Sequence, residues 1–371
     1  MPKKKNDDLK IDTAYPHTIK KFELIEEYVK TWAQKLLNYQ QCNGIVFIDC
    51  MCNSGLYKDE AGNDVVGTPI RVANYLHGVM ENYSSKHCYI FFNDLEEIKI
   101  DTLKTQLPDN TDNFQVITSC GDGNDLITSI GSKLSSAQGL TYLLVYDPYQ
   151  AAVKWDALLP FLRNWGEVII NHMVSDSTRG VSQAKRDVAI EKYEKTYLST
   201  IEELVAFGSD RNAYENRIKD IIIALRGTTK QKYFIASFPF FNRTNNIVYN
   251  LIHCSGNIQG FKLYKRTAWK IFEGKSSAKK TYGKEHQLMF NADGTFGVES
   301  HTDEYCYNIF DIAEYLQQIY KGKQNVPKNT VWETLDEHPI FPSEGYKPEI
   351  LKILKDEHRA SVSKQSISFS D

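Results

Sequence analysis

The feature that most constrains this chain is a procession of short, unbroken apolar runs, each separated from the next by enough chain to make a helix and its turns. IVFID (45–49), YIFFND (89–94), FQVITS (114–119), TYLLVYD (141–147) and EVIINHM (167–173) are rich in β-branched and aromatic residues. Continuous runs of this kind are strands buried on both faces, and intervals of about twenty residues or more leave room for crossover helices. Two more runs, KYFIASFPF (232–240) and IVYNLIHC (247–254), are joined only by residues 241–246. So short a connection permits only an antiparallel hairpin. The pattern predicts an α/β chain built on a doubly wound, mostly parallel sheet that ends in a hairpin.

The rest of the chain is read around that sheet. Residues 1–16 are polar and mixed in charge, a flexible leader. From His17 onward Phe22, Ile25, Tyr28, Val29 and Trp32 recur at helical spacing, with Thr18 placed to cap the helix. Residues from about 176 to 230 are charged and amphipathic, a helical insertion, and complete a main domain over 17–275. A linker and hairpin around Asn291–Gly294 occupy 276–304. Three short helices (306–321, 327–337, 347–357) and a strand holding Val362 then outline a C-terminal winged helix over 305–362, and residues 363–371 read as a tail.

Composition narrows the class of protein. Of 371 residues, 42% are aliphatic, aromatic or cysteine and 25% are charged, a balance that supports a packed core. No apolar run reaches the roughly 18 residues that a membrane span requires, and no apolar stretch follows the basic start, so neither insertion nor secretion is expected. The odd number of cysteines, seven, fits reduced thiols and a cytoplasmic protein better than a disulfide framework. A net charge of −3 means that any nucleic acid must meet a local patch.

Five parallel strands followed by a hairpin is the order of a class I methyltransferase-like sheet. In a doubly wound sheet ligands lie beyond the carboxyl ends of the strands, so the turns there are the candidate site. The first strand ends at Asp49 and runs through Cys50, Met51 and Asn53 to Gly55, the expected place for the methionine part of S-adenosylmethionine. Asp94 follows the second strand and Asp122 the third; carboxylates accept hydrogen bonds, from ribose hydroxyls and an adenine amino group respectively. Each also suits a plain helix cap. After the fourth strand comes Asp147-Pro148-Tyr149, an acid, a proline carbonyl and an aromatic ring. Such a set suits an exocyclic base amine, with oxygen acceptors on the nitrogen and the ring stacked on the base.

Taken with His17, Thr18, Lys21, Ile25 and Tyr28, the Asn53-Ser54-Gly55 turn and Gly67-Thr68-Pro69, these residues resemble the three-Cys-motif partner (TcmP) proteins over about 17–270. The resemblance implies a Rossmann-like relative of adenine-N6 methyltransferases, with S-adenosylmethionine as cofactor, RNA or DNA as substrate and a three-Cys-motif protein as a partner. It also places Lys21 near the pocket. Two departures stand out: Met51 and Asn53 occupy positions where that family carries an aromatic and a glycine, and Asp-Pro-Tyr-Gln replaces the Asp-Pro-Pro-Tyr of the adenine enzymes.

Between Phe261 and His286, Lys262, Lys265, Arg266, Lys270, Lys275, Lys279, Lys280 and Lys284 alternate with Phe261, Tyr264, Trp269, Phe272 and Tyr282. Lys265, Arg266 and Trp269 are therefore candidate substrate contacts, with cations for phosphates and rings for bases. The competing reading is an amphipathic helix that buries its aromatics and hydrates its lysines. Cys50 and Cys52 lack a second pair at zinc spacing, so no metal is expected. Two functions remain: base-amine methylation, or a nucleic-acid-binding scaffold, of a defence or mobile-element system, that keeps the fold without the chemistry.

Overall fold

The computed structural model describes residues 9–134, 137–227, 232–279, 288–290, 296–298, 306–357 and 359–371. A seven-stranded sheet forms its centre. Its strands are β1 (Gly44–Asp49), β2 (His87–Asp94), β3 (Phe114–Cys120), β4 (Leu140–Tyr146), β5 (Gly166–His172), β6 (Phe234–Phe241) and β7 (Ile247–Ser255). They lie in the order β3-β2-β1-β4-β5-β7-β6. The first five are parallel, and β7 runs antiparallel to both β5 and β6. All seven coincide with the apolar runs, because strands covered on both faces need unbroken apolar sequence.

Helices cover both faces. On one lie α1 (Pro16–Leu37), α2 (Thr68–Met80), α3 (Glu97–Lys104) and α10 (Ile258–Ile271), packed on Phe47, Phe92, Leu143 and Leu251. On the other lie α4 (Gly123–Leu134), α5 (Trp155–Arg163) and the excursion α6 (Val174–Gly180), α7 (Asp187–Tyr197), α8 (Ile201–Phe207) and α9 (Arg211–Arg226), packed on Val46, Ile48, Leu144 and Ile170. Successive strand residues point to opposite faces, which divides one sequence run between two cores.

The structure corrects three local expectations. α1 begins at Pro16, with Tyr15 as its cap residue, so Thr18 sits inside the first turn; proline at the start supplies the helical φ without needing an N–H partner. The end of the leader is fastened: Asp12–Thr13 pair with Tyr57–Lys58, Ala14 is buried, and Leu56–Lys58 pair with Asp64–Val66. Residues 1–8 of the leader lie outside the described residues. At the other end, Ser366–Phe369 is no tail but the middle strand of a small antiparallel sheet between Val326–Pro327 and Ala360–Val362, with Ile367 and Phe369 buried.

The three C-terminal helices α11 (Ile309–Tyr320), α12 (Lys328–Glu337) and α13 (Lys347–Asp356) pack with that sheet. Their apolar residues are continuous with the core under α1 and α10, so the C-terminal unit is welded to the main domain. Leu288–Phe290 and Phe296–Val298 form an antiparallel pair, while the Asn291–Gly294 turn lies outside the described residues.

Candidate active site

Asp49, Asp94, Asp122 and Asp147 all sit at the carboxyl ends of the four adjacent strands β1, β2, β3 and β4. Asp49 is level with Phe92 of β2 and Val145 of β4, and Asp94 with Cys120 of β3. Asp147 and Asp94 each lie close enough to Asp49 to act on its charge. Asp49 is 4% exposed, and burial first and Asp147 second push its carboxyl up to about 7; Asp94 adds to the rise, while the Met51 N–H and Lys21 oppose it. The Cys50 thiol, pushed well up by burial, also feels Asp49, Asp147 and Asp122.

The turn after β1 is held by side chains rather than by glycine alone. Asn53 takes a left-handed conformation at φ 60°, which asparagine tolerates better than most residues, so it replaces glycine without the usual steric penalty. Its amide donates to Asp12 Oδ2 at 2.8 Å and its backbone N–H to Asp94 Oδ2 at 3.0 Å. Gly55, at φ 72°, lies against Ile70, where a Cβ would collide. Met51 is half-buried beside Gly123, and a Cβ on Gly123 would run into the Cys50 carbonyl.

Asn93, buried beside Asp94, ties the turns together. Its side-chain amide donates to the carbonyls of Cys50 (3.1 Å) and Gly121 (2.8 Å), and its backbone carbonyl receives the Cys52 N–H (2.8 Å). Asp122 caps α4: Oδ1 accepts from the Asn124 backbone (2.8 Å) and amide (2.9 Å), and those bonds hold its carboxyl below the usual range. Lys154 lies 3.3 Å from its other oxygen. Cys50 and Cys52 are buried thiols, both pushed up by burial.

On the other side of Asp49, Asp147 is gripped at both oxygens. Lys21 of α1 donates to Oδ2 at 2.5 Å, and the Asn171 amide of β5 donates to Oδ1. The Lys21 ammonium also lies 5.3 Å from the centre of the Tyr249 ring, whose hydroxyl donates to the His17 carbonyl at 3.0 Å. Burial and Lys21 lower the His17 pKa to about 4. The Tyr57 hydroxyl is driven up by burial and then by Asp147, Asp49 and Asp12, which sets it among the acids. Pro148 is buried, whereas Tyr149 is 92% exposed and its ring is open to solvent.

Lys265, Arg266 and Trp269 do not join this site, and two of them cannot touch a nucleic acid in this fold. Lys265 is 0% exposed and donates to the carbonyls of Leu335, Asp336, His338 and Phe341 at 2.6–3.0 Å. Trp269 is likewise buried, its indole N–H on the Ile340 carbonyl at 3.0 Å. Arg266 pairs with Glu344, and Lys262 with Asp336 and Glu344. The basic, aromatic helix is thus the seat of the C-terminal unit; Lys280, Tyr282, Lys284 and His286 lie outside the described residues. Asn93, Asn171, Tyr57 and Asp12 are the site residues that sequence reasoning did not single out. Asn171 left one signal, an amide interrupting the apolar run EVIINHM.

The strand order, with acids gathered at one edge of the sheet, defines a class I methyltransferase-like fold. No family model and no curated protein matches the chain. Similar solved structures include a Legionella pneumophila protein of family model DUF519 (10% identity, 70% of this chain and 94% of that one, TM-score 0.40). They also include human methyltransferase-like protein 13 in complex with SAH (11%, 67% and 91%, TM-score 0.31). A third is an O-methyltransferase from Bacillus cereus in complex with SAH (11%, 62% and 80%, TM-score 0.34).

Proposed function

We propose that the chain is an S-adenosylmethionine-dependent methyltransferase acting on a nucleic-acid base amino group, adenine N6 in the first instance. The observation that carries this reading is Asp147: an acid at the end of β4, gripped from two sides, close to the buried Asp49 and followed by a buried proline and an open tyrosine ring. Asp94 keeps free lone pairs for ribose hydroxyls, and the carboxylates of Asp49 and Asp147 favour a cation nearby. When bound, S-adenosylmethionine supplies an electrophilic methyl group on a positively charged sulfur.

The chain's own residues would then position the nucleophile. Tyr149 stacks on the base, the Pro148 carbonyl and Asp147 accept the amine N–H bonds, and Lys21 holds Asp147 in place. Drawing the N–H bonds toward oxygen frees the nitrogen lone pair for in-line attack, so catalysis rests on orientation and fixed dipoles, without a covalent enzyme intermediate. The resemblance to three-Cys-motif partner proteins extends this reading to an accessory protein, and the C-terminal unit, read as a winged helix, to a second nucleic-acid contact. Transfer of a tritiated methyl group to total RNA and DNA, with and without a neighbouring gene product, tests it. Incorporation abolished by Asp147→Ala supports the reading; none in the wild-type protein with either nucleic acid defeats it.

Among the described residues no helix is long and apolar enough to cross a membrane.

A further inference from the structure

The loop that carries Pro148 and Tyr149 is stapled to the helical excursion. Asp176 of α6 accepts the Ala151 N–H on Oδ2 at 3.0 Å, and Lys192 of α7 donates to the same oxygen at 2.9 Å and to the Gln150 side chain at 3.1 Å. Thr196, buried on α7, donates to the Ala151 carbonyl at 3.0 Å and accepts the Val153 N–H at 3.1 Å. These bonds set α6 and α7 against the loop that exposes the Tyr149 ring.

The connection between the two helices is basic. From Ser177 to Arg186 the chain has Arg179, Lys185 and Arg186 and no acid. All three are exposed, and none joins an ion pair among the described residues. The Arg179 Nε–H donates to the Ser175 carbonyl of its own helix at 2.9 Å. Of the neighbouring acids, Asp176 is taken up by Lys192, Glu191 by Lys195 and Glu194 by the Ile201 N–H, which leaves Asp187 at the start of α7. Arg179 follows Asp176 by three residues, and Val188, 78% exposed, precedes Lys192 by four, so each stands one helical turn from a staple. Asp187 is about 8 Å along α7 from Lys192 at about 1.5 Å per residue, and Lys185 and Arg186 immediately precede it.

We infer that Arg179, Lys185 and Arg186 form a phosphate-binding shoulder, and that α6 and α7 hold a single-stranded nucleic acid whose target base lies on Tyr149. This rests on the base-methylation reading above and adds where the strand outside the reacting base is held. Cations without acid partners, beside an exposed aromatic ring and an exposed valine, match a chain that brings phosphates and unstacked bases together. A duplex keeps its bases stacked and must be opened before one can reach an open ring, so the surface favours a single strand.

Fluorescence anisotropy tests this without cofactor, using a short labelled oligonucleotide that contains adenine, as RNA and as DNA, each single- and double-stranded. The wild type is expected to bind the single strand more tightly than the duplex. Arg179→Gln/Lys185→Gln/Arg186→Gln, checked as folded by circular dichroism, is expected to lose roughly 10- to 100-fold in affinity at about 0.1 M salt. Its slope of log affinity against log salt should be shallower by about 2, at about 0.7 per phosphate contact. Arg179→Lys/Arg186→Lys keeps the charges and should keep both values. So should Lys35→Gln/Lys104→Gln, which removes exposed lysines near the ends of α1 and α3, where the chain leads toward the starts of β1 and β3. A triple variant that binds like the wild type overturns the inference, as does an equal loss in the Lys35/Lys104 variant or tighter binding of the duplex. A wild type that binds neither nucleic acid overturns it and the proposed substrate together. Methyl transfer is scored apart. Shoulder-dependent binding with no transfer leaves the inference standing while the proposed chemistry falls; transfer by the triple variant at unchanged KM overturns the inference while the chemistry stands.

Discussion

Burial disfavours the Asp49 charge and, with Asp147 beside it, pushes the carboxyl up to about 7 from its ordinary 3.8. Between those values the native state binds more protons than the unfolded chain, so this residue makes stability fall as pH rises from 3.8 to about 7. Asp49→Asn removes the penalty. The variant is expected to melt higher than wild type at pH 8, by on the order of a few kcal/mol at 1.36 kcal/mol per pH unit, and to gain nothing near pH 4. Thermal melts at the two pH values check this, and an equal gain at both contradicts it. Tyr149, by contrast, is 92% exposed. Tyr149→Ala should leave the melting temperature unchanged while raising KM for a nucleic-acid substrate roughly 5- to 150-fold, the stacking energy of one base. The strand-end acids were legible because an acid that follows a buried strand has one place to be. Asn93, Asn171 and Tyr57 were not, since their roles depend on partners from strands or turns distant in sequence.

At the level of elements, α10 shows how composition misleads. Its lysines and aromatics suggested a nucleic-acid surface, but Phe261, Tyr264, Lys265, Ala268 and Trp269 are all buried. They recur at the spacing of one helix face, so Lys265 falls within the apolar stripe, and that register was the available clue. Its ammonium answers the carbonyls at and beyond the end of α12. Lys265→Met keeps the apolar stem and strands those acceptors, at an expected cost of about 2–4 kcal/mol, read as a lower denaturant midpoint. A midpoint equal to the wild type contradicts the brace. The seven strands of the sheet were readable throughout, because burial on both faces writes itself into continuous sequence. The pairing of Asp12–Thr13 and Ser366–Phe369 was not, because strands of 2 and 4 residues carry too little pattern.

Across the whole molecule, one apolar core runs from α1 and the sheet through α10 into α11, α12 and α13. The C-terminal unit is therefore expected to unfold with the main domain in a single cooperative transition, as tests of coincidence between far-ultraviolet circular dichroism and tryptophan fluorescence would show; separate transitions contradict a shared core. The same rigidity fixes any surface of that unit relative to Asp147. The edge where Asp49, Asp94 and Asp147 converge is proposed to hold S-adenosylmethionine, and calorimetric titration of the purified protein at pH 8 is the deciding measurement. Saturable binding with one cofactor per chain, lost in a folded Asp94→Ala variant, is expected; heats no greater than dilution in the wild type, or binding that Asp94→Ala leaves intact, would rule it out.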